Sequence, residues 1–400
     1  MRKYYCTIIF LVCFSNYSTA IPQWLAAPVF PNNGRSASTA FVIGEQAFVG
    51  LGYDGFDFKK SFYIFNSYSN QWYNAPDFIG FPRCAAVNFV IGTNAFIGTG
   101  TGISTYSNDF WKYNSLNNTW SQVASLPGDA RHSAVAFTAF NKGYVALGYA
   151  ATGLKKDVWQ YNDTTNLWVQ KNDFDGAERK SACVFVLDNK AFIVNGDKDV
   201  LTNGCWQFDA MNDTWIQKTD FTGTPRSGSV AFTLNGKGIV GLGYDTLTNY
   251  CNDFFQYDTL TDSWSPFDTF PGSARSSAIA FSFPTRAYVG LGYDSLYLKD
   301  VFYYSALNDG VKEINTDENL FSIYPNPSAA YFSLKYCIPS NEKYYFSLFD
   351  LNGNSYLNIL LDSNKKKHEC KTQLLLNGIY FYKITSNKKV MDAGKICIIK

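Results

Sequence analysis

The stretch Arg131–Trp168, RHSAVAFTAFNKGYVALGYAATGLKKDVWQYNDTTNLW, reads as four short strands joined by tight turns. Small and large residues alternate up to Phe137, as a half-buried strand requires. A turn at Asn141-Lys142-Gly143 leads into Tyr-Val-Ala-Leu-Gly, the second strand. Asp-Val-Trp-Gln-Tyr-Asn makes the third, and the segment around Trp168 the fourth. The pattern is written six times, with arginines at 35, 83, 131, 179, 226 and 275 in steps of 48, 48, 48, 47 and 49. Tryptophans keep the same beat at 24, 72, 120, 168, 215 and 264. A period near 50 with one Trp per copy is the mark of a propeller array, whose sheets bury their faces only by stacking around an axis. The sixth copy ends after Phe302-Tyr303-Tyr304 with no Trp, while Trp24 stands 48 residues before Trp72 as a spare fourth strand. Gln23–Ala27 is therefore expected as the outer strand of the last blade, closing six blades and removing exposed edges.

In this order the strand, Gly-rich strand, Tyr-Asp/Asn strand and Trp strand resemble kelch repeats over about residues 21–310. The family's paired glycines stand here at Gly50 and Gly52, Gly241 and Gly243, and Gly290 and Gly292. Copies three and four depart, with Ala146 and Val194 at the first position. The resemblance implies an all-β, six-bladed kelch-type β-propeller; kelch propellers host many functions, so it implies none in particular.

Length variation locates the face that is free to change. Every Arg lies 17 residues before a glycine, and every Trp lies eleven before the next Arg. The slack falls in the loops Tyr53–Lys60, Thr101–Asn108, Tyr149–Lys156, Asp197–Asn203, Tyr244–Asn252 and Tyr293–Lys299. Loops on a rigid scaffold are where binding resides. The candidate ligand contacts are Phe56, Tyr106, Tyr250 and Tyr297, with Asp54, Asp245 and Asp294 beside them. Flat rings next to carboxylates suit sugar faces or extended peptides. The recurring Gly-Tyr-Asp also has a structural reading, in which the Asp caps the turn or pairs with a neighbouring Arg and the Tyr packs between blades. The ring of arginines carries the same two readings.

Catalytic inventory is thin. The propeller holds one histidine, His132, and two glutamates before residue 311, Glu45 and Glu178. A copper-radical oxidase resembling galactose oxidase would need paired His ligands. Glu178 and Arg179 are the weak catalytic alternative, as in a cofactor-free sugar mutarotase resembling the kelch-type sialic-acid epimerases. The leading expectation is a non-catalytic binding module for a glycan or surface protein, with no cofactor and no metal.

Composition agrees with an exported all-β chain: 18% aromatic, 17% charged and 30 glycines. Net charge of +1 gives no reason to expect nucleic acid as a partner. Residues 1–20 read as a secretory signal peptide: Arg2-Lys3, an apolar run from Cys6 to Phe14, then Ser18-Thr19-Ala20. No later stretch approaches a membrane span. Seven cysteines follow residue 20, an odd number that cannot pair completely. Cys84 and Cys183 are expected in first strands as buried small hydrophobes.

Residues 311–322 form a polar linker, and charge changes sign across it: 21–322 carry a net −7, whereas 323–400 hold 11 Lys against 5 acids. Alternating strands with Asn-Gly turns predict a small β-sandwich. Tyr324-Pro-Asn-Pro327, Asp350-x-x-Gly353, Leu375-x-x-Gly378-x-Tyr380 and the Lys-rich end closely resemble the C-terminal sorting domain of the type IX secretion system of Bacteroidota, over 323–400. That resemblance implies export to the cell surface or beyond, with the secretion machinery as a partner.

Overall fold

Six four-stranded antiparallel sheets account for most of residues 23–305 in the computed structural model, which describes 23–247 and 249–305. Between 321 and 399 it describes all but 325, 327, 337, 340–341, 351–354, 374 and 387–388. The signal peptide, most of the linker and Cys337 lie outside the described residues.

The third blade shows the plan: Val135–Ala139, Lys142–Ala146, Val158–Asn162 and Leu167–Lys171 pair in sequence order. In the sixth, Ile279–Phe283, Arg286–Gly290 and Val301–Ser305 are completed by Gln23–Ala26, with Trp24 opposite Tyr304. The N-terminal strand therefore lies where the spare Trp placed it. The first strands of successive sheets contact one another in a closed cycle around a channel of about 400 Å³.

Three belts of hydrogen bonds run around this cycle. The residue two after each Arg has positive φ and donates its N–H to the same position in the preceding blade: Ala85 to Ala37, Ser133 to Ala85, Ser181 to Ser133, Gly228 to Ser181, Ser277 to Gly228 and Ala37 to Ser277, at 2.9–3.1 Å. The second-strand glycine N–H reaches the next blade's Arg carbonyl, from Gly52 to Arg83 round to Gly292 to Arg35. Each Trp indole donates to a backbone carbonyl of the blade before it, Trp72 to Pro28 and, at the closure, Trp24 to Asp268. The fixed spacings of Arg, Gly and Trp are thus the spacings of the contacts between blades.

Glycine is required at Gly148 because φ is +99° and a Cβ would meet the His132 carbonyl at 2.9 Å. The first glycine of the pair answers a different demand. Gly50, Gly98 and Gly241 lie opposite Phe62, Phe110 and Phe254, and a Cβ at Gly50 would fall 2.3 Å from the Phe62 ring. In the two divergent copies the partner shrinks as the glycine grows: Ala146 faces Val158 and Val194 faces Cys205. Gly290, opposite Val301, is held small by the Asp300 carbonyl, a constraint that Asp109 and Asp253 also impose on Gly98 and Gly241.

Cys183 is buried in the strand Cys183–Leu187, whereas Cys84 is half-buried at an isolated bridge to Thr101, ahead of its blade's first strand. Burial pushes the Cys183 thiol up to about 12 and Cys84 up to about 11, which keeps both protonated.

The second compact unit holds the described residues from 321 onward. Phe321–Tyr324, Tyr331–Tyr336 and Lys367–Lys371 form one sheet. Ser355–Leu361, Tyr344–Phe349, Gly378–Ser386 and Lys389–Ile398 form the other. Phe332, Leu334, Phe346, Leu348, Ile384 and Ile396 fill the core between them, giving the small β-sandwich expected.

Candidate binding rim

The six arginines are buried, and in four blades their partner is an aspartate that directly precedes the third strand. Arg83 holds Asp109 through Nη1 and Nη2 at 2.5 and 2.9 Å, and Arg131 holds Asp157 at 2.5 and 2.6 Å. Arg226 and Arg275 grip Asp253 and Asp300 in the same bidentate way. Each Nη1 also donates to the carbonyl of the residue that follows the first glycine position of the second strand, Leu147 for Arg131. Trp111 and Trp159 indoles complete Asp109 and Asp157. Burial opposes ionisation of Asp109 and Asp157, but the bonds and charge of the arginine outweigh it and hold both below the usual carboxylate range. These aspartates escape a reading of the sequence because they lie 25 to 27 residues after their Arg, on the far side of the variable loop. In the first and fourth blades Ser61 and Gly204 stand in their place.

Asp54 and Asp245 are buried, and Asp294 shares their turn geometry. Asp54 accepts from the Phe56 and Asp57 N–H groups and pairs with Lys59 at 2.7 Å. Asp245 accepts from Leu247 N–H and the Thr224 hydroxyl, and Asp294 from Leu296 N–H. All three carboxylates therefore shape the loops that carry them.

The rings named from the sequence fall into two groups. Tyr244, Tyr250, Tyr293, Tyr297, Tyr53 and Phe58 touch ring to ring, with centroids 5.0–6.1 Å apart, in an arc from the fifth blade through the sixth to the first. Tyr250 and Tyr297 are interior links, and burial together with their tyrosine neighbours raises both phenols. Tyr106 belongs elsewhere: it packs on His132 at 4.7 Å and on Tyr149 at 6.3 Å, and Lys180 sits over Tyr149. Phe56 is joined to neither group and is 87% exposed.

Phe56 belongs to a set of which it is the one member singled out from the sequence. The tips of five loops each expose an apolar side chain, Phe56, Ile103, Val200, Leu247 and Leu296, at 69–91% exposure. In four of them it follows the capping Asp by two or three residues, a signal masked by differing residue types. Two depressions of about 610 and 620 Å³ adjoin on this rim, sharing Ser104 and Thr105. Phe81 and Ile103 line the first, Tyr106 and Tyr149 the second.

Glu178 is exposed, while Arg179 is buried and donates to the Ala177 and Asn195 carbonyls. No hydrogen bond or ion pair joins the two among the described residues. The His132 imidazole contacts the Ser133 hydroxyl at 2.9 Å, and burial, then Lys180, lower its pKa. Among the described residues no cluster of His, Cys, Asp and Glu could hold a metal.

Comparison with known proteins agrees with this architecture. Residues 96–127 match the Kelch motif, and residues 322–400 match the secretion system C-terminal sorting domain. The solved structure of YjhT aligns with a TM-score of 0.59 at 17% identity, covering 69% of this chain and 95% of that one. No curated protein matches the chain. The chain is a kelch-type β-propeller joined to a type IX sorting domain, which marks it for export to the cell surface or beyond.

Proposed function

We propose that the propeller is an exported, non-catalytic binding module whose loop rim takes a protein or glycan partner. The observation that carries this is the rim itself: five exposed apolar loop tips beside an arc of six touching aromatic rings. Apolar side chains held out on several loops of one rim are costly to leave in water, which supports reading that rim as an interaction surface. The aliphatic tips favour protein, since a sugar face is met by rings rather than by Ile, Val and Leu.

The test is to screen the exported full chain against surface proteins and glycans, then repeat with Tyr106→Ala plus Tyr250→Ala and with Ile103→Asp plus Leu296→Asp. A partner whose affinity falls at least tenfold in either double variant supports the rim. Binding untouched by both variants, or none at millimolar ligand, overturns it. Turnover of a sugar anomer or epimer that Glu178→Gln abolishes would make the rim catalytic instead.

A further inference from the structure

The fourth blade keeps the donors of the Arg–Asp tie and lacks the acceptor. In the third blade Asp157 receives Arg131 through two nitrogens and Trp159 Nε1 at 2.7 Å. In the second, Asp109 receives Arg83, Trp111 Nε1 at 2.9 Å and the Ser107 hydroxyl at 2.7 Å. The equivalent positions of the fourth blade hold Arg179, Trp206 and Thr202, but Gly204 stands where the aspartate would be. A Cβ built on Gly204 would lie 3.5 Å from Thr202 Oγ1 and 3.6 Å from both Arg179 Nη1 and Trp206 Nε1. Three donors therefore surround Gly204, which supplies them no carboxylate.

We propose that these donors form a carboxylate-binding site, in which Arg179, Trp206 and Thr202 take from outside the chain, where an Asp carboxyl group would stand, the carboxylate that four other blades supply themselves. Arg179 is 3% exposed, and its Nε and Nη1 reach only backbone carbonyls. Asp220 acts on it through space, yet no ion pair forms between them among the described residues. Burial pulls the guanidinium down to about 10, so a bound anion would relieve a desolvated charge. The Thr202 oxygen accepts from Gly204 N–H, which leaves its proton to donate outward. Trp206 Nε1 has no partner among the described residues. The first blade also lacks the aspartate, but Tyr63 replaces its Trp and Ser61 takes Arg35 Nη1, so the donor set is broken there. The fifth and sixth blades have Phe255 and Phe302 at the Trp position and keep their aspartates.

The site does not depend on the rim reading. Sodium formate and acetate, titrated into the full chain at constant ionic strength with chloride as control, are the probes, read by thermal unfolding and by formate line broadening in NMR. A saturable rise in Tm is expected, absent in Gly204→Asp, whose own Tm without formate should exceed that of the parent. Trp206→Phe should weaken formate about tenfold while folding normally, because Phe already serves two other blades. Tyr106→Ala plus Tyr250→Ala should leave the response unchanged. Glucuronate binding tighter than formate, with glucose inert, would place the carboxylate on an acidic sugar; equal or weaker binding would place it on a small free acid. Should Gly204→Asp not fold, Trp206→Phe decides alone. No saturable response, or one unaltered in the variant that folds, overturns the proposal.

Discussion

Arg131 is a fully buried charge whose cost is offset by one bidentate carboxylate and two carbonyls. Removing the carboxylate leaves that charge in low dielectric, so Asp157→Asn should destabilise the propeller by about 3 kcal/mol in urea unfolding. The same pair sets an acid limit. The folded-state pKa of Asp109 and Asp157 lies below the unfolded value of about 3.9, so their stabilisation is complete above that pH. It is lost as pH falls through the folded value. Stability measured downward from pH 5 should therefore drop more steeply in the parent than in Asp157→Asn. At this scale the arginines and tryptophans were legible because their contacts recur at constant spacing. Their aspartates were not, because the loop between has no constant length.

Blade strands show how a sequence departure can be a repacking rather than a loss. Ala146 opposite Val158 fills the space that Gly98 and Phe110 fill in the second blade. Val158→Phe alone should overpack by about 1–3 kcal/mol, and Ala146→Gly alone should loosen the strand by about 1 kcal/mol. The double variant should recover most of both losses, a coupling of at least about 1 kcal/mol in a double-mutant cycle. Gly148→Ala has no such rescue, since its backbone is left-handed and the His132 carbonyl blocks the Cβ. The loops repeat the lesson. Their variable length was visible, but which side chains end up in water was not: Asp54 turned inward while Phe56, two residues on, turned out.

Over the whole molecule, closure joins the two ends of the propeller through Trp24, which packs on Phe232, Phe254, Phe270 and Tyr304. Trp24→Ala should cost about 3 kcal/mol and lower the unfolding midpoint, because it removes a ring packed on four aromatics at the closure. The sorting domain is a separate compact unit with its own core, so its loss should leave the blades folded. Deleting 322–400 should retain a folded propeller in the periplasm, checked by fractionation and by limited proteolysis. Surface delivery of the truncated chain would refute the sorting role.

What the sequence determined by itself is strand order, the constant Arg, Gly and Trp spacings, the closing strand and the ordered motifs of the tail. Repetition makes the first two visible several times over, because backbone geometry admits only certain residues there. The closing strand shows as the one Trp left without its blade, and the tail as distinct motifs in order. Tertiary structure alone decided which loop rings touch, which carboxylates turn inward, and that the donors around Gly204 converge without an acceptor. Those outcomes combine local turns, which the sequence could only offer as one of two readings, with contacts between residues far apart in the chain, such as Tyr53 on Tyr297 and Arg179 beside Gly204.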